Sequence, residues 1–343
     1  MEYYISTLAI YFVFYAVGAW TMNLQFGMGG IINFGAIIFE AIGAYVAGVT
    51  AIGHSGFAVG ETYLFGVQWP FPLPLLAGGA AGGLLGAVLG PAMMRKMRKD
   101  YQAAGTLVLA IIAWQVVSQD QGLFNGSQGL ASVPQPMSQY VGGVTYQWLF
   151  FALCVVVGLA CYFVMQRMSR SPFGRSLRAV RDDEEAAAAL GKNPWAIRMI
   201  VFVVGGVIFG LMGALMVEFL TAWAPASWGY NETFDLLVAI FLGGLGSQIG
   251  ALFGGFVVGV VLLQLTAFLP TIGYPGLTFS LVWILIGLVW VVVLWFRPKG
   301  VFPAKPDLQL AQLGNRSRPW AALWRRETSG PQLFEPAERL LSK

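Results

Sequence analysis

Very few residues of this 343-residue chain could do chemistry, and they fall in three places. Glu40 stands alone in the apolar run Ile38-Phe39-Glu40-Ala41. A carboxylate inside an apolar segment is destabilising by several kcal/mol unless it is wet or partnered, which makes it a functional candidate by default. Glu40 either faces a solute pathway and meets a cationic or ammonium group, or stays protonated, or bonds a neighbouring protein. The amides of Asn23, Gln25 and Asn33 flank the glycine string Gly27-Met28-Gly29-Gly30 just ahead of it. They either line a route or bond backbone groups that such a break sets free. The third place is the charged stretch from Arg167 to Arg198. Arg175, Arg178 and Arg181 are spaced by three there and share one helix face, and Asp182, Asp183, Glu184 and Glu185 follow directly. The pairs Arg178–Asp182 and Arg181–Glu185 stand at i,i+4 in the weaker orientation, about a few tenths of a kcal/mol each. That is too little to explain the cluster, so a protein partner or an anionic lipid surface is expected for it.

The usual enzymatic constellations are missing. There is one histidine, His54, and no Ser/His/Asp set or metal-ligand cluster accompanies it. Cys154 and Cys161 lie seven apart in one apolar run. On a helix that is about 10 Å, too far for a disulfide, and they read as small apolar fillers. No Gly-x-x-x-x-Gly-Lys-Ser/Thr occurs; Gly191-Lys192-Asn193 lacks both the upstream glycine and the hydroxyl. Any work the chain does therefore draws on a partner's ATP or on a gradient.

The elements that must position these residues are membrane helices. Hydrophobic residues are 57% and charged residues 10%, against about 25% charged in soluble domains. That excludes a soluble enzyme and a disordered chain, and the net charge of +4 does not amount to a nucleic-acid binder. A helix needs roughly 20 apolar residues to span. Nine candidates read as Tyr4–Met22, Gly30–Gly53, Leu73–Met94, Tyr101–Ser118, Gln147–Met165, Met199–Phe219, Asn231–Gly244, Gly250–Leu269 and Phe279–Phe296. The fold class expected is an all-α polytopic membrane protein of about nine transmembrane helices. Some of these are broken at the glycines Gly27, Gly30, Gly243, Gly244 and Gly246. The breaks point either to a pathway or to close Gly-rich packing. Met1-Glu2 lacks a basic segment and runs straight into apolar sequence, unlike a cleavable signal peptide.

All 20 Lys and Arg fall in three groups: Arg95–Lys99, Arg167–Arg198 and Arg297 onward. The loops 54–72, 119–146, 220–230 and 270–278 have none. The positive-inside rule then places the basic groups and the C-terminus in the cytoplasm and the N-terminus outside. Within the long inner loop, Ser171-Pro172 reads as a helix start, Asp182 or Asp183 as a second cap, and Gly191 as a C-terminal stop. Trp69, Trp148, Trp195, Trp223, Trp228 and Trp295 near span ends read as an interfacial belt. Glu218, Glu232 and Asp235, with Asp120 and Glu61, read as solvated loop ends or outer docking contacts. Residues 304–343 differ in composition, and Trp320 and Trp324 with basic flanks fit a helix on the inner leaflet or against a partner, the rest of the tail being disordered.

Three blocks carry a family resemblance covering about residues 10 to 303. The first is Leu24-Gln25-Phe26-Gly27 through Gly30, with Asn33-Phe34-Gly35 and Gly43-Ala44-Tyr45. The second is Gly174-Arg175-Ser-Leu-Arg178-Ala179-Val-Arg181-Asp182-Asp183, with Ala189-Leu190-Gly191. The third is Gly243-Gly244-Leu245-Gly246-Ser247 and Gly250, ending in Phe296-Arg297-Pro298-Lys299-Gly300. They resemble the permease subunits of ABC importers for branched-chain amino acids, a family that includes urea and short-amide permeases. The resemblance implies one transmembrane permease domain over 1–303 with a coupling loop at 167–198. It implies an ATPase-coupling role for Gly174, Arg175, Arg178, Ala179, Arg181, Asp182, Asp183 and Gly191. It also implies a bacterial inner-membrane transport subunit that is not itself an enzyme and binds no cofactor. ATP and Mg would sit on two cytoplasmic ABC ATPases. A second homologous permease, in a heterodimer, and an extracytoplasmic substrate-binding protein would complete the assembly, with the lipid bilayer and no nucleic acid around it. Family members usually carry a small or apolar residue where this chain has Glu40. The alternative to an importer is a gradient-driven transporter using Glu40 as its ion site.

Overall fold

The computed structural model describes residues 2–52, 67–96, 99–138 and 141–262, and from there scattered positions between 281 and 303. His54, Glu61, the loop 270–278, the last part of the eighth expected span (263–269), eight positions of the ninth and the tail 304–343 lie outside the described residues. Met1–Pro303 forms one compact unit. Among the described residues the chain is helical, and a single isolated bridge joins Leu130 and Trp223.

Helix α1 (Glu2–Met22) runs directly into a π-helical stretch, Asn23–Met28. Gly30 then turns the chain with φ +63°, a left-handed conformation that glycine adopts without a Cβ penalty. The Asn33 side chain accepts from the Gly35 amide at 3.1 Å and keeps this stretch out of the helix. As a result α2 begins at Ala36 and ends at Ala51, rather than filling the expected Gly30–Gly53. Next come α3 (Leu73–Lys96), α4 (Lys99–Gln119), the short α5 (Gln121–Phe124) and α6 (Gly143–Arg170). Two short helices follow, α7 (Pro172–Asp182) and α8 (Glu184–Ala189), then α9 (Pro194–Leu220) and α10 (Tyr230–Gly243). The last described helix, α11 (Gln248–Phe256), loosens into a π-helix over Val257–Leu262.

Five of these helices are long and apolar enough to cross a bilayer, and α2 and α11 are shorter apolar helices. The glycine content finds its use in their packing. α3 carries glycines at 78, 82, 86 and 90, four apart and so on one face. Gly78 and Gly82 press against the backbone of α9 at Gly206 and Gly210, and Gly43 of α2 meets Gly210 from another side. A Cβ at any of these points would overlap backbone, so only glycine lets the three helices meet this closely. Gly158 of α6 packs against Val13 and Val17 of α1, beside the free, buried Cys154 and Cys161.

The second break follows α10. Gly244 and Gly246 take φ values of 117° and 79°, and Ser247 caps α11 through the Gly250 amide at 3.1 Å. The orphan carbonyls at the end of α10 find donors far along the chain: Val301 N–H bonds Leu242 O at 2.9 Å and Phe302 N–H bonds Gly243 O at 2.8 Å.

Two of the six tryptophans read as a belt are in the interior instead. Trp69, Trp148, Trp195 and Trp295 are exposed, whereas Trp223 and Trp228 are buried. The segment 221–229 folds over the helix ends and pairs with 130–133, and Trp228 donates to the Tyr45 hydroxyl at 3.2 Å.

Candidate functional site

At one end of the bundle stands the α7–α8 pair. Ser171 caps α7 through the Gly174 amide, and Pro172 occupies its first turn. Gly174 lies so close to the Met168 and Ser169 carbonyls that a side chain would not fit. Asp183 caps α8 by accepting from Ala186 N at 2.9 Å, and Glu184 and Glu185 occupy its first turn, where the helix dipole favours carboxylates. Gly191, at φ +77°, ends the unit. Leu177 and Val180 are the buried face of α7; Arg175, Ala179, Asp182 and Asp183 are exposed.

The three arginines do not behave alike. Arg175 points outward. Arg178 bonds the Ser169 carbonyl at 3.2 Å. Arg181 pairs with its neighbour Asp182 at 2.8 Å and also donates to the Gly27 carbonyl, inside the first helix break. Its Cγ would lie only 2.8 Å from a Cβ on Gly30, and Leu177 packs close to Gly29. The basic helix is thus fastened directly to the broken end of α1. A second tie joins α8 to α9: the buried Arg198 pairs with Glu184 at 2.7 Å. Arg198 looked like one more member of the basic loop; its position i+4 after Pro194, facing the apolar run, was the only hint of burial.

The two glycine breaks meet each other here. Asn23 accepts from Gly246 N at 2.7 Å and donates to Ser247 O at 3.3 Å. Gln25 accepts from Asn33 Nδ2 at 3.1 Å, and its amide lies on Gly205 of α9. Asn23 and Asn33 thus bond backbone at the breaks, and none of the three amides lines the cavity described next.

That cavity, about 220 Å³, lies between α1, α2, α9 and α10. Glu40 enters it from α2 and Glu232 from the first turn of α10. Tyr11, Phe14 and Tyr15 line it from α1, and Met212, Met216 and Leu220 from α9. Gly213 lets α9 press on the Glu40 carbonyl, which fixes where the carboxylate projects. Glu40 is 8% exposed and has no hydrogen bond or cationic partner among the described residues. A larger space of about 490 Å³ adjoins it, lined by polar residues such as Thr7, Gln135, Ser138 and Gln147. Tyr11 and Leu220 line both.

The acids near the far helix ends correct the sequence reading. Glu218 and Asp235 are each 2% exposed, and Glu232 faces the cavity; none is a solvated loop end. At Glu218 the segment 130–135 lies over the end of α9, with Val133 N–H bonding Thr221 O at 2.9 Å. Glu232 and Asp235 stand three apart with no base in the run, a spacing that places both on one face of α10 and was the available signal.

A family model described as a branched-chain amino acid transport system permease component matches residues 4–294. A probable branched-chain amino acid transport permease protein LivM of Methanocaldococcus jannaschii is 24% identical, covering 88% of this chain and 94% of its own. Two Escherichia coli permease proteins of the high-affinity branched-chain amino acid transport system are also similar. LivM is 26% identical over 89% of this chain and 71% of its own. LivH is 25% identical over 86% and 92%. No solved structure matches the chain. With most of its length inside that family model and its helices built for a bilayer, the chain belongs to the permease-component family of branched-chain amino acid transport systems.

Proposed function

We propose that this chain is one of two permease subunits of an ATP-driven ABC importer. It forms part of the path by which an amino acid, branched-chain in the first instance, crosses the bacterial inner membrane. The observation that carries the reading is the α7–α8 unit. It is a doubly capped, outward-facing pair of helices whose inner edge holds the broken end of α1 through Arg181 and Gly27. A rigid lever joined to a helix break is what a subunit without an ATP site needs in order to be driven by one that has it.

In this reading residues 1–303 are the permease domain and 304–343 a cytoplasmic tail. The basic groups and the C-terminus face the cytoplasm, and the N-terminus faces the periplasm. Two cytoplasmic ATPases, holding ATP and Mg, grip Arg175, Ala179, Asp182, Asp183 and the Leu190–Gly191 end of α8, where Leu190 is 82% exposed. Gly174, Arg178 and Arg181 hold the lever to the spans. Glu40 stands on the solute route, and Asn23, Gln25 and Asn33 hold the breaks beside it. Similarity to two differently named permeases of one system supports a heterodimer with a second, homologous permease. An extracytoplasmic binding protein supplies the cargo.

Purification from native membranes in mild detergent tests this, comparing wild type with Arg175→Glu plus Leu190→Asp. An ABC-type ATPase and a second permease should accompany the wild type, and the variant should keep the permease and lose the ATPase. If no ATPase accompanies the wild type, the lever has no driver. The buried Glu40 would then favour the gradient-driven reading, tested by whether a protonophore abolishes uptake.

A further inference from the structure

The cavity between α1, α2, α9 and α10 presents two carboxylates to one small space. Glu40 is more than nine-tenths buried and unpartnered among the described residues, and it points into the cavity. Glu232 lines the same cavity from the first turn of α10, three residues before the buried Asp235. Among the described residues no Lys, Arg or His lines the space. The first 94 residues contain no Lys or Arg at all, and Arg198, the basic residue of α9, is engaged with Glu184.

Burying a carboxylate without a partner costs several kcal/mol, and two facing acids make matters worse. Packing alone would put leucines there. At about 220 Å³ the cavity holds several waters at about 30 Å³ each, or one small solute. Its remaining walls are largely apolar, with Phe14, Met212, Met216 and Leu236. Ser227, Tyr11 and Tyr15 are the polar exceptions, Tyr11 on the side of the adjoining vestibule. An ammonium group brings one positive charge and three donors on a compact head, enough for two carboxylates at once. An aliphatic stem attached to it would cover the methionines.

We propose that Glu40 and Glu232 form a subsite for a protonated amine, so that the solute taken by this permease must carry an ammonium group next to a small aliphatic body. The proposal rests on the transport reading above and narrows it: amino acids and alkylamines qualify, whereas urea and short amides do not.

The test has two arms. In the first, the detergent-purified assembly is warmed with 3-methylbutylamine, with the neutral 3-methylbutanamide, or with sodium chloride at equal concentration. The amine should raise the unfolding temperature. Glu40→Gln and Glu232→Gln should weaken its apparent affinity at least tenfold, while Glu40→Asp retains most of it. Equal stabilisation by the amide, or by sodium, overturns the ammonium assignment. In the second arm the complete transporter in proteoliposomes is assayed for ATP-dependent leucine uptake. Uptake that falls at least tenfold in both Gln variants and is largely retained in Glu40→Asp, with all three variants still assembling with the ATPase and the second permease, supports the subsite. Uptake unchanged in the Gln variants sinks the subsite and leaves the permease reading standing. A wild type that binds the amine but shows no ATP-dependent uptake overturns the importer and keeps the subsite.

Discussion

Removing the Arg181 side chain, as Arg181→Ala, should loosen the first helix break without touching the rest of the bundle. Two of its interactions set the scale. The pair with Asp182 is exposed, 35% and 64% on the two sides, and is worth about 0–1 kcal/mol. The bond to the Gly27 carbonyl is charge-assisted and half-buried, of the kind worth about 1.5–3 kcal/mol. Gly27 belongs to the π-helical stretch, whose closing bonds are Gly29 N to Leu24 O at 3.1 Å, Gly30 N to Phe26 O at 3.1 Å and Ile31 N to Gln25 O at 2.9 Å. If the guanidinium holds that turn shut, its loss lowers the local opening free energy by about 1.5–3 kcal/mol. Amides 29–31 should then exchange roughly 10- to 150-fold faster, at 1.4 kcal/mol per factor of ten. Hydrogen exchange with mass spectrometry on peptides spanning 23–31 reads this directly. Arg175→Ala, with its outward side chain, is the control and should leave these amides alone. The same Arg181 variant should hydrolyse more ATP per solute moved, because the lever slips against the break. Unchanged protection at 29–31 in Arg181→Ala would refute the fastening, and with it the mechanical account of α7.

Asn23→Leu should destabilise the fold by about 1–3 kcal/mol, because it strands the Gly246 amide; Asn23→Asp, which keeps the acceptor, should cost less, and thermal unfolding in detergent ranks the two. Gly82→Ala places a Cβ against the Gly206 carbonyl and should cost about 1–3 kcal/mol by overpacking, whereas Gly229→Ala, with open space around it, should be neutral. Glu184→Ala leaves the buried Arg198 charge without its acid, so it should expose the 183–193 segment to protease more than Arg198→Met does; the reverse order would show the pair to be ornamental. Cys154 and Cys161 are buried, so a maleimide should label both slowly in mild detergent and fast in dodecyl sulfate.

The helical membrane class was legible because it depends on apolar length and on where the basic residues fall, and both are one-dimensional properties. Helix ends inside the loop 167–198 were legible for a similar reason: Ser171, Pro172, Asp183 and Gly191 act within a turn of themselves. What the sequence did not disclose depends on contacts between distant segments. One shift is more local: α2 starts only at Ala36 because the Asn33 side chain takes the Gly35 amide, while its other end bonds Gln25 across the break. Trp223 is buried where its backbone pairs with Leu130, and Trp228 where it bonds and packs on Tyr45 of α2. Glu232 looked like a loop end until α1, α2 and α9 closed a cavity around it. Glu40 could be singled out from its apolar neighbours alone, but the acid it faces comes from 192 positions away along the chain.

The pairing of Val301 and Phe302 with the end of α10 sets where the protein can be cut. A chain stopped after Pro303 keeps both amides on Leu242 and Gly243, and keeps the Gly300 backbone packed on Gly244. A chain stopped at Arg297 bares two carbonyls at a helix end and removes the strap that holds the second break in place. Shortened versions for crystals or cryo-microscopy should therefore end at 303 or later, and a cleavable tag belongs beyond that point. Any reporter inserted between 297 and 302 would be read out by the state of α10.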